Sequence, residues 1–355
     1  MNIKTFVLDA NNDSPCKKLS DRFYCGDFKD FETVLDFGKK CDIITFEIEH
    51  INIQALEELE KIGKKVFPKS KTLKIIQDKN LQKSFFKENK IPTSNFKFFD
   101  SIVSLKKSVQ RNEITFPSVW KKTKYGYDGF GVKVLRSPFD IDELPDCEMI
   151  IEDFVSFEKE LSVIVCRNVS GEIKTFKTFE MEFNNKTNQV EYVISPALIP
   201  EEIEKKAEKL AIQIAEKIDS VGVLAVEMFL SKNQIYINEL APRPHNSGHL
   251  TIELCSSSQF QQHIRSVLNL SLGNTEHSGV AIMLNLVGDE NFNGPVVYEG
   301  LEEVFKQKNA NLHLYGKKET RPNRKMGHVT IICDKFEDAY KKAKILKEVI
   351  RVKSK

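Results

Sequence analysis

The chain has 355 residues, 41% of them hydrophobic, which predicts a folded globular protein of two or three packed units. Its 53 Lys and Arg nearly balance its 51 Asp and Glu, so bulk charge gives no reason to expect nucleic-acid binding. No apolar run reaches the roughly 20 residues that a membrane span needs, and we expect no membrane segment. The seven cysteines form no CxxC pair and residues 1–9 lack a signal-peptide pattern, which predicts free thiols and a cytoplasmic location.

The first part of the chain alternates short apolar segments with helical patterns, which predicts an α/β unit built on a parallel sheet. Its last predicted element is a long polar helix that ends before Pro92, because proline disfavours helix at the residue that precedes it. The predicted strands cover residues 3–8, 42–46 and 65–67, and the predicted helices cover 28–38, 53–62 and 72–89.

The rest of the chain is richer in predicted strands and hairpins, which indicates an α+β organisation. One hairpin is predicted around Asn168–Gly171, and a second joins residues 223–230 to residues 234–240. The other predicted strands cover 119–121, 149–154, 281–287 and 329–333, and the predicted helices cover 202–218 and 336–349.

The second hairpin carries two glutamates in apolar surroundings. Glu227 lies in its first strand and Glu239 at the end of its second strand. A three-residue loop would place them opposite each other, and a two-residue loop would make them diagonal neighbours. Like charges so close indicate a cation between them, such as Mg²⁺, which prefers carboxylate oxygens. The alternative is that each glutamate is solvated on an exposed strand face.

The segment Arg243–His249 follows directly and contains an arginine, two histidines and an asparagine. Such a loop suits an anion and polar substrate groups. Upstream, Lys121 ends a strand before the glycine-containing loop 125–131, whose backbone could cover phosphates. This loop lacks the Walker A spacing, and by itself it could be an ordinary glycine turn. Beyond it, residues 150–154 offer strand-edge backbone for an adenine ring, and Glu160 offers a carboxylate for ribose hydroxyls.

The order of these motifs resembles the ATP-grasp superfamily. Within it, TFEIEH, QDKxxQK, YDGxG, NELAPRPHNSGH and YGKKETRPNRKMGH are similar to the N5-carboxyaminoimidazole ribonucleotide synthetases over nearly the whole chain. The resemblance implies a reaction in which ATP phosphorylates bicarbonate and the carboxyphosphate then carboxylates 5-aminoimidazole ribonucleotide. It also implies Mg²⁺ as cofactor, a homodimer, and no nucleic-acid or membrane partner.

The resemblance further implies roles for individual residues. Glu227 and Glu239 correspond to magnesium ligands, and Arg243, His245 and Asn246 to the catalytic positions that hold bicarbonate and carboxyphosphate. The implied ATP-binding residues are Lys79, Lys121, Gly126, Tyr127, Asp128, Gly129, Glu152, Asp153, Phe154, Val155 and Glu160. The implied ribonucleotide-binding residues are Glu49, Tyr127, Asp128, Lys317 and Arg324.

The expected architecture is an ATP-grasp core of two lobes at residues 76–270, between an N-terminal Rossmann-like unit at 1–75 and a small C-terminal unit at 271–355. The family normally opens with a strand and a GGGQLG loop, whereas this sequence starts at what resembles the second strand, so we expect an N-terminal sheet that lacks one βα unit. Two alternatives to the carboxylating ligase are another ATP-grasp ligase and a nucleotide-binding protein whose catalysis is impaired by this loss.

Overall fold

The computed structural model of the chain describes residues 2–124, 126, 131–184 and 186–355. Its N-terminal part contains β1 (Phe6–Asp9), β2 (Arg22–Cys25), α1 (Phe31–Lys39), β3 (Ile43–Ile44), α2 (Ile53–Lys61), β4 (Lys65–Val66) and α3 (Ser70–Gln77). β1 pairs with β2 and β3 pairs with β4, both in parallel. The predicted parallel arrangement is confirmed, but it consists of two separate ladders and includes β2, which the sequence did not indicate.

The prediction of a single helix over residues 72–89 is wrong, because Asp78 is not helical and separates two helices, α3 and α4 (Lys79–Glu88). The side chain of Asp78 accepts hydrogen bonds from the backbone N–H groups of Asn80 and Leu81, at 2.9 and 3.2 Å. A side chain that satisfies the first N–H groups in this way begins a new helix. The break places Lys79 at the first position of α4.

The next part of the chain is a small antiparallel sheet with one helix beside it. It contains β5 (Phe96–Phe99), α5 (Ile102–Gln110), β6 (Ser118–Lys122), β7 (Val132–Leu135) and β8 (Met149–Asp153), with the strand order β5-β8-β6-β7. β8 is therefore an inner strand. The prediction that residues 150–154 offer strand-edge backbone is wrong for residues 150–153, which pair with β5 and β6. Only Phe154 lies beyond the paired ladder.

A nine-stranded sheet dominates the remainder of the chain, in the order β14-β13-β9-β11-β12-β15-β19-β17, with β10 paired to β9. Both predicted hairpins are confirmed, and in the first of them the returning segment forms two strands, β10 and β11, which both pair with β9. The strands are β9 (Lys159–Arg167), β10 (Ile173–Thr175), β11 (Phe179–Asn184), β12 (Gln189–Ser195), β13 (Gly222–Ser231), β14 (Gln234–Ala241), β15 (Val280–Val287), β17 (Ala310–Leu314) and β19 (Lys325–Cys333).

Helices pack on both faces of this sheet. The apolar side of α6 (Glu201–Lys217) packs on Leu224, Val226 and Met228 of β13 in one core, and α10 (Phe336–Val349) packs on β15 and β19 in another. Because side chains alternate along a strand, Val223 and Ala225 point to the opposite face, where they pack against the segment at 250–272. Glu227 follows on that second face. The segment includes α7 (Thr251–Leu254) and α8 (Gln259–Val267).

The C-terminal part adds a three-stranded antiparallel ladder of β16 (Gly294–Glu299), β18 (Glu319–Thr320) and β20 (Arg351–Ser354), together with α9 (Glu302–Phe305). The strands predicted at 281–287 and 329–333 are present as β15 and β19, and they extend the large sheet. The sheet thus continues past residue 270, and the boundaries expected at 75/76 and 270/271 stay predictions. All seven cysteines are free thiols, and no helix among the described residues has the length and apolar character to cross a bilayer.

Candidate active site

Glu227 and Glu239 face each other across the β13–β14 hairpin. The loop has two residues, Lys232 and Asn233, and an unbroken ladder would pair Glu227 with Asn238 and turn Glu239 to the other face. A β-bulge between Glu227 and Met228 shifts the register by one residue and brings the two glutamates into direct opposition. The diagonal arrangement predicted for a two-residue loop is therefore wrong, and the opposed one is present.

Each glutamate of this pair has a basic partner. Lys79 Nζ lies 2.6 Å from Glu239 Oε1, and His245 Nε2 lies 3.2 Å from Glu227 Oε1. Burial alone would raise the pKa of Glu227, but the hydrogen bond and charge of His245, with Lys79 and Lys325, lower it below its ordinary value. The Glu227 carboxylate is thus kept ionised, which suits it to a divalent cation. Mg²⁺ is usually held by one or two carboxylates together with nucleotide phosphates, and the opposed pair can supply both.

Lys121 belongs to the same region. Its Nζ lies 3.0 Å from Glu152 Oε1 and donates to Asn238 Oδ1 at 2.9 Å. Asn238 is the residue that the bulge inserts into β14, so Lys121 connects β6 to the strand that carries Glu239. The side chain of Glu152 is buried among cations, which leaves only its backbone for the predicted contact with adenine.

Glu160 lies on the face of the sheet that carries Glu227, because Glu160 pairs with Phe229, two residues further along β13. Burial and the charge of Glu227 raise the pKa of Glu160 to about 8, against the opposing effect of Lys121. This carboxyl group is therefore a proton donor or acceptor near neutral pH. Asp153 accepts a hydrogen bond from the Asn95 side chain at 2.9 Å, and Phe154 is 41% exposed beside it.

The loop after β14 holds His245 firmly. Its Nδ1 lies 2.9 Å from Ser247 Oγ, which in turn lies 2.8 Å from Ser162 Oγ on β9. Gln259 accepts from the backbone N–H of His245 at 2.9 Å and donates to its carbonyl at 2.7 Å. The imidazole is thus oriented toward Glu227 by contacts on its other side.

The two neighbours of His245 have different partners. Arg243 Nε donates to Glu49 Oε1 at 3.0 Å, which joins this loop to the N-terminal unit. Burial raises the pKa of Glu49 despite Arg243. Asn246 forms a reciprocal amide pair with Asn285 of β15, at 2.9 and 3.0 Å. Sequence reasoning missed Asn285, although a lone asparagine within the apolar strand Val280–Val287 was a usable signal.

The predicted phosphate-binding cations of the ribonucleotide site, Lys317 and Arg324, lie in the C-terminal part of the chain. Lys317 Nζ donates to the carbonyl of Lys325 at 2.7 Å, and Arg324 Nη1 donates to the carbonyl of Glu319 at 2.7 Å. Burial raises the pKa of Glu47, while Arg243 and Lys317 both act to lower it. Lys317 and Arg243 therefore both lie close enough to Glu47 of the N-terminal unit to affect its charge.

Of the glycine-containing loop, the structure describes Gly126, whereas Tyr127, Asp128 and Gly129 lie outside the described residues.

Three family models match the chain. They are a ribonucleotide synthetase preATP-grasp domain at residues 1–77, an ATP-grasp domain at 84–260 and a phosphoribosylaminoimidazole carboxylase C-terminal domain at 281–342. The predicted fold class, an ATP-grasp core between two smaller units, is confirmed.

Among curated relatives, the chain is 39% identical to N5-carboxyaminoimidazole ribonucleotide synthase of Bacillus subtilis (strain 168), over 94% of this chain and 86% of that protein. It is 35% identical to phosphoribosylaminoimidazole carboxylase of Candida glabrata, with 98% of this chain aligned, but it spans only 62% of the length of that fungal protein.

Comparison with solved structures finds proteins of the same name. N5-carboxyaminoimidazole ribonucleotide synthetase from Thermotoga maritima superposes with a TM-score of 0.91 at 40% identity, covering 100% of this chain and 94% of that one. N5-carboxyaminoimidazole synthase from Aspergillus clavatus, in complex with ADP and 5-aminoimidazole ribonucleotide, gives 0.87 at 32% identity, covering 98% and 92%.

Proposed function

This chain belongs to the N5-carboxyaminoimidazole ribonucleotide synthetase family, and we propose that it carboxylates the exocyclic amine of 5-aminoimidazole ribonucleotide with bicarbonate, at the expense of ATP. It is then an ATP-dependent ligase of purine biosynthesis. The observation that carries this function is the opposed pair Glu227 and Glu239, flanked by Lys79 and His245.

The first chemical step is phosphoryl transfer. A bicarbonate oxygen bonds to the γ-phosphorus of ATP, the bond to the β,γ-bridging oxygen breaks, and ADP leaves with that electron pair. Such a transfer depends on positioning and on neutralising charge. Lys79 and Lys121 supply positive charge from α4 and β6, and they turn from their carboxylate partners to the phosphates. Mg²⁺, when bound to Glu227 and Glu239, would neutralise phosphate charge.

The second step transfers the carboxyl group. The exocyclic amine attacks the carboxyl carbon of carboxyphosphate, inorganic phosphate leaves, and the amine loses a proton. Arg243, His245 and Asn246 hold the small anion in this scheme, because they form one loop whose side chains are fixed by Glu49, Ser247 and Asn285. Carboxyphosphate is labile in water, so a closed site protects it.

We place the adenine at residues 152–155, where the backbone of Phe154 and Val155 lies beyond the paired ladder, and the ribose against Glu160. The 5′-phosphate of the ribonucleotide binds to Lys317 and Arg324, with Glu49 nearer the imidazole. The carbonyl of Glu319 orients the Arg324 guanidinium without neutralising it, which supports binding of a dianionic phosphate.

The assembly and the cellular location are part of the same proposal. We expect a cytoplasmic homodimer, and sedimentation velocity over a range of protein concentrations tests the dimer. A single species of about 41 kDa, the mass of one chain, would contradict it.

The deciding experiment measures ADP release by the purified chain with Mg-ATP and bicarbonate, with and without 5-aminoimidazole ribonucleotide. Isotope-labelled bicarbonate is followed into the ribonucleotide in parallel. We expect ribonucleotide-stimulated ADP release and one label incorporated per ADP. Nucleotide binding without any ADP release would indicate a binding protein, and ADP release without label transfer would indicate a different acceptor.

A further inference from the structure

Helix α4 carries two lysines on one side, Lys79 and Lys83, which are four residues apart and therefore one above the other. Lys79 reaches Glu239 at the carboxylate pair. Lys83 reaches Glu152 Oε2 at 3.1 Å, on the far side of that carboxylate from Lys121. The function proposed above uses Lys79 and Lys121 and gives Lys83 no role.

Lys83 is enclosed by protein. Its side chain is 3% exposed, and its Nζ donates to Thr93 Oγ1 at 2.7 Å and to Ser94 Oγ at 3.0 Å, besides the ion pair with Glu152. The ammonium group thus has three acceptors, which is its full donor capacity. Lys83 is too deeply buried to touch a nucleotide, so any effect it has on nucleotide binding must act through its partners.

The partner that connects Lys83 to Lys121 is Glu152. Its Oε2 receives Lys83 and the hydroxyl of Ser94, at 2.7 Å, while its Oε1 faces Lys121 at 3.0 Å. One carboxylate is thus shared by two ammonium groups, and the trio carries a net charge of +1. The other partner of Lys121, Asn238, is neutral. Lys121 is therefore oriented by Glu152 without being fully neutralised.

We propose that Lys83 is a positioning residue: by drawing on one oxygen of Glu152, it weakens the hold of that carboxylate on Lys121, so that Lys121 can turn to the nucleotide phosphates. This inference rests on the proposed contact of Lys121 with ATP. Without the charge of Lys83, Glu152 and Lys121 form a neutral pair in a poorly solvated place, where an ion pair is held more strongly. The nucleotide must then compete with Glu152 for Lys121.

The test compares nucleotide binding by three variants, with ADP and Mg-ATP as probes in titration calorimetry. Lys83→Met keeps the length of the side chain and removes its charge, and we expect the dissociation constant for both nucleotides to rise about tenfold, the loss of one modest electrostatic contact. The dissociation constant of the ribonucleotide should not change. Lys87→Met, one turn further along the same helix and exposed to solvent, is the matched control and should bind like the original chain.

The double variant Lys83→Met/Glu152→Gln separates positioning from stability. With Glu152 neutral, Lys121 is released again, so nucleotide affinity should recover most of the loss seen in Lys83→Met. A purely structural role for Lys83 predicts no such recovery. The double variant also restores the net charge of +1 that these three residues carry in the original chain, and Asn238 still accepts from Lys121, so it keeps the test open if Lys83→Met fails to fold.

Unchanged nucleotide affinity in Lys83→Met would overturn the inference, and so would a double variant that binds as weakly as Lys83→Met. Equal weakening for nucleotide and ribonucleotide, accompanied by a lower melting temperature, would also overturn it. These measurements need no turnover, so they stand apart from the ADP-release assay. If ribonucleotide-dependent ADP release is absent while Lys83→Met still weakens ADP binding, the proposed reaction fails and the inference about Lys83 survives.

Discussion

Two groups of predicted phosphate-binding cations are held differently: one lies beside the carboxylate pair, and the other lies in the C-terminal part of the chain. On the side of the carboxylate pair, Lys79 and Lys121 are nearly buried, and each contacts a carboxylate, Glu239 and Glu152 respectively. On the C-terminal side, Lys317 and Arg324 donate to backbone carbonyls of Lys325 and Glu319. We therefore expect Lys79 and Lys121 to exchange partners when an anion binds, whereas Arg324 is oriented by a backbone dipole that leaves its charge in place.

This difference has a consequence for substitutions. Glu239 orders Lys79 and is the proposed metal ligand, so its loss should change several interactions at once. Arg324 is one arm of the proposed phosphate site, so its loss should weaken the binding of one ligand and leave the binding of the other intact. Variants on each side can therefore test whether the two sides act independently.

The largest effect is expected for Glu239→Gln. It removes one charge of the opposed pair and the ionic partner of Lys79, and we expect ADP release to fall by about a hundredfold or more, as for other groups that stabilise developing charge. The assay is ADP release at a series of Mg²⁺ concentrations. Glu202→Gln, on the exposed surface of α6, is the control and should keep full activity. Retained activity in Glu239→Gln would contradict the metal assignment.

A smaller and more selective effect is expected for Arg324→Ala. Losing one charged hydrogen bond to a phosphate costs about 1.5–3 kcal/mol, which corresponds to a rise of roughly ten- to a hundredfold in the ribonucleotide dissociation constant. Mg-ATP binding should stay within about twofold, because a cation on this side serves only one ligand. Arg321→Ala, in the same segment but exposed, is the matched control. Equal losses for the two ligands would mean that the phosphate site is misplaced.

The smallest effect concerns stability and belongs to Glu160. Because the pKa of Glu160 is raised to about 8 in the folded chain, the folded state binds more protons than the unfolded state between about pH 4.5 and 8. The contribution of this group to stability is therefore fully present at low pH and is lost as pH rises through that window. Glu160→Gln removes the dependence, so its free energy of unfolding should exceed that of the original chain at pH 8.5 by about 1–2 kcal/mol, after allowance for solvent access.

Urea unfolding at pH 5.5 and 8.5, without nucleotide or metal, measures this difference. The two chains should be closest in stability at pH 5.5. A constant offset at both pH values would show that Glu160 is ionised throughout and that its raised pKa is wrong.

The sequence predicted those features that depend on local pattern. The helix expected at 336–349 matches α10, and the hairpin that carries Glu227 and Glu239 is present. The opposed charges were recognisable because apolar strands rarely carry two carboxylates. The helix expected at 72–89 was wrong for a local reason: Asp78 lies between the polar residues Gln77 and Lys79, a pattern that fits the exposed face of one long helix as well as the cap of a second one.

Other features depend on contacts between distant parts of the chain and had no local signal. Lys83 and Glu152 are 69 positions apart in the sequence, and only the packing of α4 against β8 brings them within 3.1 Å. The inner position of β8 depends on β5 pairing beside it, which periodicity cannot indicate. The assigned roles of the site residues stay predictions until the variants above are measured.

The bulge at Asn238 decides which side chains of β14 face Glu227. Side chains alternate along a strand, so a ladder that took in Asn238 without a bulge would turn Glu239 toward the apolar core under α6 and place Leu240 on the face of Glu227. Deleting Asn238 would remove the bulge and leave Glu239 opposite Glu227 in a regular ladder, but Lys121 would lose the amide oxygen to which it donates. The bulge therefore lets two neighbouring residues of β14, Asn238 and Glu239, both serve the site, where a regular strand would turn one of them away.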